Sequence, residues 1–309
     1  MAKRSRLKPR STLLGPDEVT RDLADLPSAA AVLPQLLRLL GDDSANVENI
    51  VQLLKMDQGV SARVMKIGNS AYYSQGYRCQ SVEEALARVG MLKTYEVVAQ
   101  AAAADLLMRR LKTYAIEPED FWRQSVTCAM AAAQLARYID VDDHFAYTVG
   151  LLHGAGIVAV DHWATTAQEE AISFRWQGFP NDATEDERDI LGFTSASAAG
   201  ALLKSWGFQP GITEPIRWQF TPDAAGGNRK MACLLHVAKW IRDSAHIPDR
   251  TERPALPDAK ILAAVGASND DLDAICLAVA EDFERAGKLL AVPSRGDGKE
   301  PKETPPEPV

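Results

Sequence analysis

The sequence predicts an all-α fold, and three observations carry that expectation. Apolar residues recur three and four positions apart through most of the chain. No segment shows sustained period-two alternation, and no Asn-Gly or Asp-Gly pair joins two β-branched runs as a hairpin would. Helix punctuation is frequent: Pro at first turns, a Ser-x-x-Glu box and Gly after apolar stripes. With 309 residues, 46% hydrophobic and 25% charged, the chain can bury a substantial core in one large domain or two ordinary ones.

In chain order, residues 1 to about 20 read as a mobile basic arm. Lys3, Arg4, Arg6, Lys8 and Arg10 form a charge run with almost nothing to bury. Leu26-Pro27 and Leu33-Pro34 punctuate entry into a helix carrying Leu36, Leu37, Leu39 and Leu40, which Gly41-Asp42-Asp43 ends. Val47, Ile50, Val51 and Leu54 mark the next helix, broken by Asp57-Gln58-Gly59. Val60 to Gly68 begins another, closed by an Asn69-Ser70-Ala71 turn. Ser81-Val82-Glu83-Glu84 is a capping box, with Val82, Ala85, Leu86 and Val89 on a buried face and Gly90 as the stop.

An Ala-rich helix from about Lys93 to Leu111 has small side chains that permit close approach, which predicts a central position. Pro118-Glu119-Asp120 opens a helix to about Ile139, with acids near the positive end of its dipole. Helices are further predicted at about Thr166 to Gln177, Glu185 to Leu191, Ser195 to Trp206, Ile212 to Phe220, Arg229 to Ser244 and Asp270 to Leu290. Pro248 to Pro257 reads as a linker. Val292 to Val309, rich in Pro, Lys and Glu, is expected to be disordered.

The stretch Asp143 to Val160 organises the rest. It is apolar and contains Leu-Leu-His-Gly-Ala-Gly. His153 stands among Gly150, Gly154 and Gly156, where backbones can approach closely. A His in such a corner suggests a metal or catalytic site, but an acid at the next position would be needed, and that residue is Gly154.

Composition narrows the function. A net charge of -8 argues against a general nucleic-acid or membrane-surface binder. Cys79, Cys128, Cys233 and Cys276 are far apart with no CxxC pair, which fits free thiols in a cytoplasmic protein. No apolar run reaches membrane-spanning length, and no long apolar segment follows the basic N-terminus as in a secretory signal. There is no GxSxG elbow, P-loop or HExxH. Gly154-Ala155-Gly156 lacks the preceding strand of a phosphate loop.

Taken in order, several segments resemble the HDOD family, relatives of the HD-domain metal phosphohydrolases that look non-catalytic. They are LPSAAAVLPQLLRLL, MDQGVSARVMKIGNSAYY, SVEEALARVG, Trp122 followed by Ser125, and GLLHGAG. The resemblance covers roughly Leu26 to Pro222, and more weakly continues to about Asp243. It implies a single HD-like multi-helix domain over residues 21–245. Around it the sequence places a linker and C-terminal helix over 246–290, a basic arm over 1–20 and a tail over 291–309.

The resemblance also implies where metal ligands would stand. Ser125 falls where the enzymes have a first His, and His153-Gly154 where they have the His-Asp pair. Ser195 stands where a family stretch often carries His. Trp218-Gln219 meets the His-His dipeptide, and Lys239 the final Asp. A cation at that last position would repel a metal. Neither a catalytic residue nor a cofactor is therefore expected, and His153 and His236 read as core histidines.

Three functions compete. The favoured one, implied by the resemblance, is a non-enzymatic module of bacterial signalling that binds signalling or regulatory proteins. Clustered aromatics beside an Arg at Tyr72, Tyr73, Tyr77 and Arg78 are a candidate docking surface. The second is a nucleotide or second-messenger sensor using a relict pocket of Ser125, His153, Ser195, Gln219 and Lys239. The third is a metal-dependent phosphohydrolase.

Overall fold

A computed structural model describes residues 15–21, 27–40, 47–55, 57–70, 73, 77–89, 91–167 and 172–287. Their helices are α1 (Pro16–Thr20), α2 (Pro27–Leu40), α3 (Val47–Lys55), α4 (Gln58–Gly68), α5 (Val82–Val89), α6 (Met91–Leu107), α7 (Pro118–Ile139) and α8 (Asp143–Leu152). The rest are α9 (Ala155–Thr166), α10 (Thr184–Leu191), α11 (Ser195–Ser205), α12 (Pro210–Arg217), α13 (Arg229–Ser244), α14 (Ala259–Val265) and α15 (Asn269–Gly287). Among the described residues the sole β-type pairing is an isolated bridge between Leu111 and Ile116. The all-α expectation holds. No helix among the described residues is long and apolar enough to cross a membrane.

One apolar cluster runs through the whole array, from Val19 of α1 and Leu33 of α2 to Leu272 and Val279 of α15. α6 touches α2, α4, α5, α7, α8 and α9, the central place its small side chains predict. Polar pins fix α6 against α8: Tyr95 bonds Thr148, and Gln100 Nε2 donates to Tyr147 Oη at 2.7 Å. α7 lies against α8 and α13, joining the first part of the fold to the last.

The Asp143 to Val160 stretch is two helices, with His153 and Gly154 at the break. Close packing drives it. A Cβ on Gly150 would lie 2.6 Å from Ala129 Cα in α7, and one on Gly156 only 1.8 Å from the Ser195 carbonyl oxygen in α11. At both positions hydrogen is the largest side group the neighbouring backbone admits.

Several expectations need correction. Residues 1–14 lie outside the described residues, but the arm does not extend to residue 20. Pro16–Thr20 is helical, with Val19 and Thr20 buried, and α1 packs on α9 and α11. Asp57-Gln58-Gly59 does not merely break a helix: the Asp57 carboxylate caps α4 by accepting from the Val60 amide at 3.0 Å. Ser81 caps α5 as expected, with its hydroxyl accepting from the Glu84 amide at 3.2 Å. Glu84, however, accepts from the Gln80 amide at 2.7 Å, one residue before the box requires. Gly41 to Asp43, Ala71, Gly90 and the tail from residue 288 lie outside the described residues.

The largest difference is at 172–183. A helix is expected through Gln177, yet Ile172 to Gly178 forms no helix. Ile172 and Phe174 are buried while Ser173 and Arg175 are exposed, a period-two pattern. Phe174 stacks on Tyr114 with ring centroids 4.8 Å apart, and its amide donates to Thr113 O at 2.8 Å. Tertiary contacts thus hold the segment open.

The linker is also more structured than expected. Arg250–Glu252 is a short 3-10 turn. Arg253 donates to Ile247 O at 2.9 Å and to Asp273 at 2.8 Å, Trp240 Nε1 donates to Pro254 O at 3.0 Å, and the unforeseen α14 follows.

Gly156→Ala is expected to lower unfolding free energy in urea titration by about 3 kcal/mol or more, since backbone must shift to admit the methyl group. Gly192→Ala, with open space around it, is expected to cost less, through its left-handed backbone alone.

Candidate functional site

His153 ends α8, where the chain turns into α9, and α13 faces it. Its imidazole is neutral by hydrogen-bond logic. Nδ1 lies 2.7 Å from Gly150 O and donates to that carbonyl. Nε2 therefore keeps its lone pair and accepts from Arg242 Nη1 at 3.1 Å. Burial, then the Arg242 and Lys239 charges, push its pKa down to about 3.

Arg242 is one turn beyond Lys239 on α13, so the two cations share a face. Both have fully buried side chains, and both converge on Asp182. Arg242 Nη2 donates to Oδ1 at 2.8 Å, and Lys239 Nζ lies 2.8 Å from Oδ2. The Lys239 contact is an ion pair off the line of an aligned hydrogen bond. Its ammonium also sits 3.6 Å from the centre of the Phe220 ring, whose face attracts a cation. Arg242 donates further to Asp243, from Nε at 2.6 Å and Nη2 at 2.8 Å.

Charge balance explains the shifts. Burial alone would raise Asp182, but Arg242 and Lys239 overcome it and hold the carboxyl well below the usual range. Burial lowers Lys239, and Asp182 opposes that. Burial would also lower Arg242, but Asp182 and Asp243 raise it well above its ordinary value.

Gln219 joins from the turn after α12. Its Nε2 donates to His153 O at 3.0 Å and Ile216 O at 2.9 Å, and its own carbonyl lies 3.0 Å from His236 Nδ1. His236 meets Phe179 edge-to-face, and burial lowers its pKa.

Of the five relict positions, His153, Gln219 and Lys239 are brought into one bonded network. Ser125 and Ser195 are buried but bond elsewhere or not at all. Ser125 Oγ has no hydrogen-bond partner among the described residues. Ser195 donates its amide to Glu187 Oε2 at 2.7 Å, beside Tyr114 Oη donating to Oε1 at 2.8 Å. Burial raises the Glu187 carboxyl. Burial likewise pushes the Cys128 thiol, one turn from Ser125 on α7, up to about 12. Sequence reasoning missed Asp182, Arg242, Asp243 and Glu187. Only Arg242 carried a local signal, three residues after Lys239.

The proposed docking residues lie far along the chain from this network. Tyr72 is outside the described residues. Tyr73 packs against the core, while Tyr77 is 79% exposed and Arg78 is exposed. Asn69 clamps the backbone beside them: its Oδ1 accepts from the Cys79 amide at 2.6 Å and its Nδ2 donates to Cys79 O at 3.3 Å. The turn motif therefore secures a distant backbone rather than its own. Arg88 donates to Tyr77 O at 2.5 Å.

The architecture is a helical array in which two helices meet at a buried His. The HDOD domain model matches residues 26–222, well over half of the chain, and the protein belongs to the HDOD domain family. Solved structures share the fold. A candidate phosphohydrolase from Shewanella amazonensis is 24% identical with a TM-score of 0.59, covering 88% of this chain and 96% of its own. A candidate signal transduction protein from Marinobacter aquaeolei is 21% identical with a TM-score of 0.64, covering 87% of this chain but 61% of its own. An HDOD domain protein of unknown function from Geobacter sulfurreducens is 20% identical with a TM-score of 0.61, covering 89% and 98%. An uncharacterized Treponema pallidum protein is 26% identical over 136 residues, which are 43% of this chain and 26% of that protein.

Asp182→Asn removes the charge between two buried cations, and is expected to lower stability by about 3–5 kcal/mol in urea titration. The His153 pKa predicts acid sensitivity. Unfolded His binds a proton near its ordinary 6.5, whereas the folded one resists until about 3. Stability is therefore full above about pH 6.5 and falls as pH drops towards 3. The unfolding free energy should lose about 2 kcal/mol between pH 7 and 5, and His153→Asn should flatten that slope.

Proposed function

We propose that this protein is a non-enzymatic regulatory domain that acts by binding other proteins, with the HD-type metal centre replaced by an internal ion-pair network. The observation that carries the reading is the pairing of Lys239 and Arg242 with Asp182 where a metal-dependent relative would gather ligands. A divalent ion needs several free anionic or imidazole donors and an open position for water. Here both His153 nitrogens are engaged, and both Asp182 oxygens face cations. Among the described residues no group of three His, Cys, Asp or Glu side chains is arranged to hold a metal. These residues do not fit a divalent ion.

The same network weighs against a nucleotide sensor in the relict pocket. Lys239 is 0% exposed and its charge is already answered by Asp182, so a phosphate would have to displace a buried carboxylate. The outer surface offers Tyr77 with Arg78, an aromatic and a cation beside a backbone clamped by Asn69. The Marinobacter relative, named as a candidate signal transduction protein, is in keeping with a regulatory role.

Protein purified without chelators from cells grown with iron, manganese and zinc is expected to carry less than about one-tenth equivalent of any of them, given the engaged donors. It is also expected to show no phosphatase activity. A stoichiometric metal that His153→Ala removes would end the non-enzymatic reading. Crosslinking in cells should capture signalling proteins with the unmodified chain and lose them with Tyr77→Ala/Arg78→Ala. Identical capture by both would show that this face is not the docking surface.

A further inference from the structure

Away from the filled centre, a surface cleft of about 310 Å³ opens between the end of α6 and the exposed side of α9. Arg109, Arg110 and Lys112 line one wall, and Asp161, His162 and Thr165 the other. Three cations fall on four consecutive residues of this wall, although the chain carries a net charge of -8. The wall is built rather than loose. Leu111 and Ile116 exchange backbone hydrogen bonds at 2.9 and 3.1 Å, and Arg109 Nε donates to Asp105 O at 2.9 Å. Asp161 Oδ1 accepts from both the amide and the hydroxyl of Thr113, each at 2.7 Å.

The charges have countercharges. Arg110 pairs with Glu117 at 2.8 Å, with 66% and 51% of those side chains exposed, so this pair is weak and exchangeable. Asp105 is engaged by Arg63. Asp161 is buried and its Oδ1 accepts twice, which among the described residues leaves Oδ2 as the oxygen for a ligand. Arg guanidinium forks suit phosphate oxygens, and a carboxylate at the far wall suits a sugar hydroxyl. Leu111 and Val158 supply apolar lining, and the volume is at the lower end for small-ligand sites.

We propose that this cleft binds a small phosphorylated, hydroxyl-bearing molecule of nucleoside monophosphate size, with phosphate on Arg109, Arg110 and Lys112 and a hydroxyl on Asp161. The site is separate from the relict pocket and does not rest on the partner-binding reading above.

Titration calorimetry on the full chain tests it with three probes: inorganic phosphate, a panel of nucleoside 5′-monophosphates and the matching nucleosides. At least one monophosphate is expected to bind one-to-one, about tenfold or more tighter than its nucleoside or inorganic phosphate. Arg109→Gln/Arg110→Gln should weaken it about tenfold or more, and Lys112→Gln, at an exposed position unable to unfold the chain, by several-fold. Asp161→Asn should weaken the monophosphate but leave inorganic phosphate unchanged, with thermal melting confirming the fold. Absence of binding by every phosphorylated probe, or binding unaffected by Lys112→Gln and the double variant, overturns the site. Equal affinity for inorganic phosphate and all monophosphates overturns the hydroxyl assignment.

Discussion

The interaction on which the rest depends is one carboxylate set between two cations out of reach of water. Lys239 and Arg242 have fully buried side chains, and two unpaired positive charges in that setting would be intolerable. Asp182 supplies the anion from outside any helix, with its backbone in the left-handed region at φ 50°. That conformation is unfavourable for a residue with a Cβ, and the surroundings hold it. The Asp182 amide donates to Gly178 O at 2.6 Å, and its carbonyl accepts from Gln177 N at 2.9 Å. Asp243 stitches the same loop from the other side, accepting from the Phe179 amide at 2.7 Å. The loop, α13 and the break at His153 are thus one electrostatic unit.

This unit supports the fold in the way a bound ion would, with the sign of the parts exchanged. In a metal centre, side chains bring negative charge and the ion brings positive charge. Here α13 carries both cations together with Asp243, and the loop carries the Asp182 carboxylate between them. The exchange keeps the attraction between elements, with both His153 nitrogens and both Asp182 oxygens engaged within the chain. That is why the proposed function moves outward, to residues that solvent and partners can reach.

Local order was readable from the sequence, and long-range pairing was not. The bounds of α7 and α13 followed from Pro118, from the acids behind it and from apolar spacing, because those signals act within a few residues. The non-helical run at 172–177 was not legible, although Ile172, Phe174 and Trp176 alternate, because Tyr114 and Thr113, far back in the chain, decide its shape. His153, Gln219 and Lys239 were placed together through family resemblance. Asp182 carried no comparable mark: an Asp after Pro180-Asn181 reads as a turn residue, and only the folded chain shows the two cations it serves. Asn69 likewise read as a local turn former, while its amide reaches ten residues on to Cys79.

The cleft and the filled centre are also joined by that loop. Thr113 gives its amide and hydroxyl to Asp161 in the cleft wall, and its carbonyl accepts the Phe174 amide on the other side. Its neighbour Tyr114 stacks on Phe174 and donates to Glu187, which in turn holds the start of α11 at Ser195. A short chain of directed bonds therefore runs from an exposed cluster of cations to the segment that delivers Asp182. Hydrogen bonds of this kind, some of them to acidic side chains, contribute about 1–3 kcal/mol each, whereas removing the buried carboxylate from its cations costs about 3–5 kcal/mol. The bonds from the cleft are therefore individually weaker than the ion-pair centre they lead to.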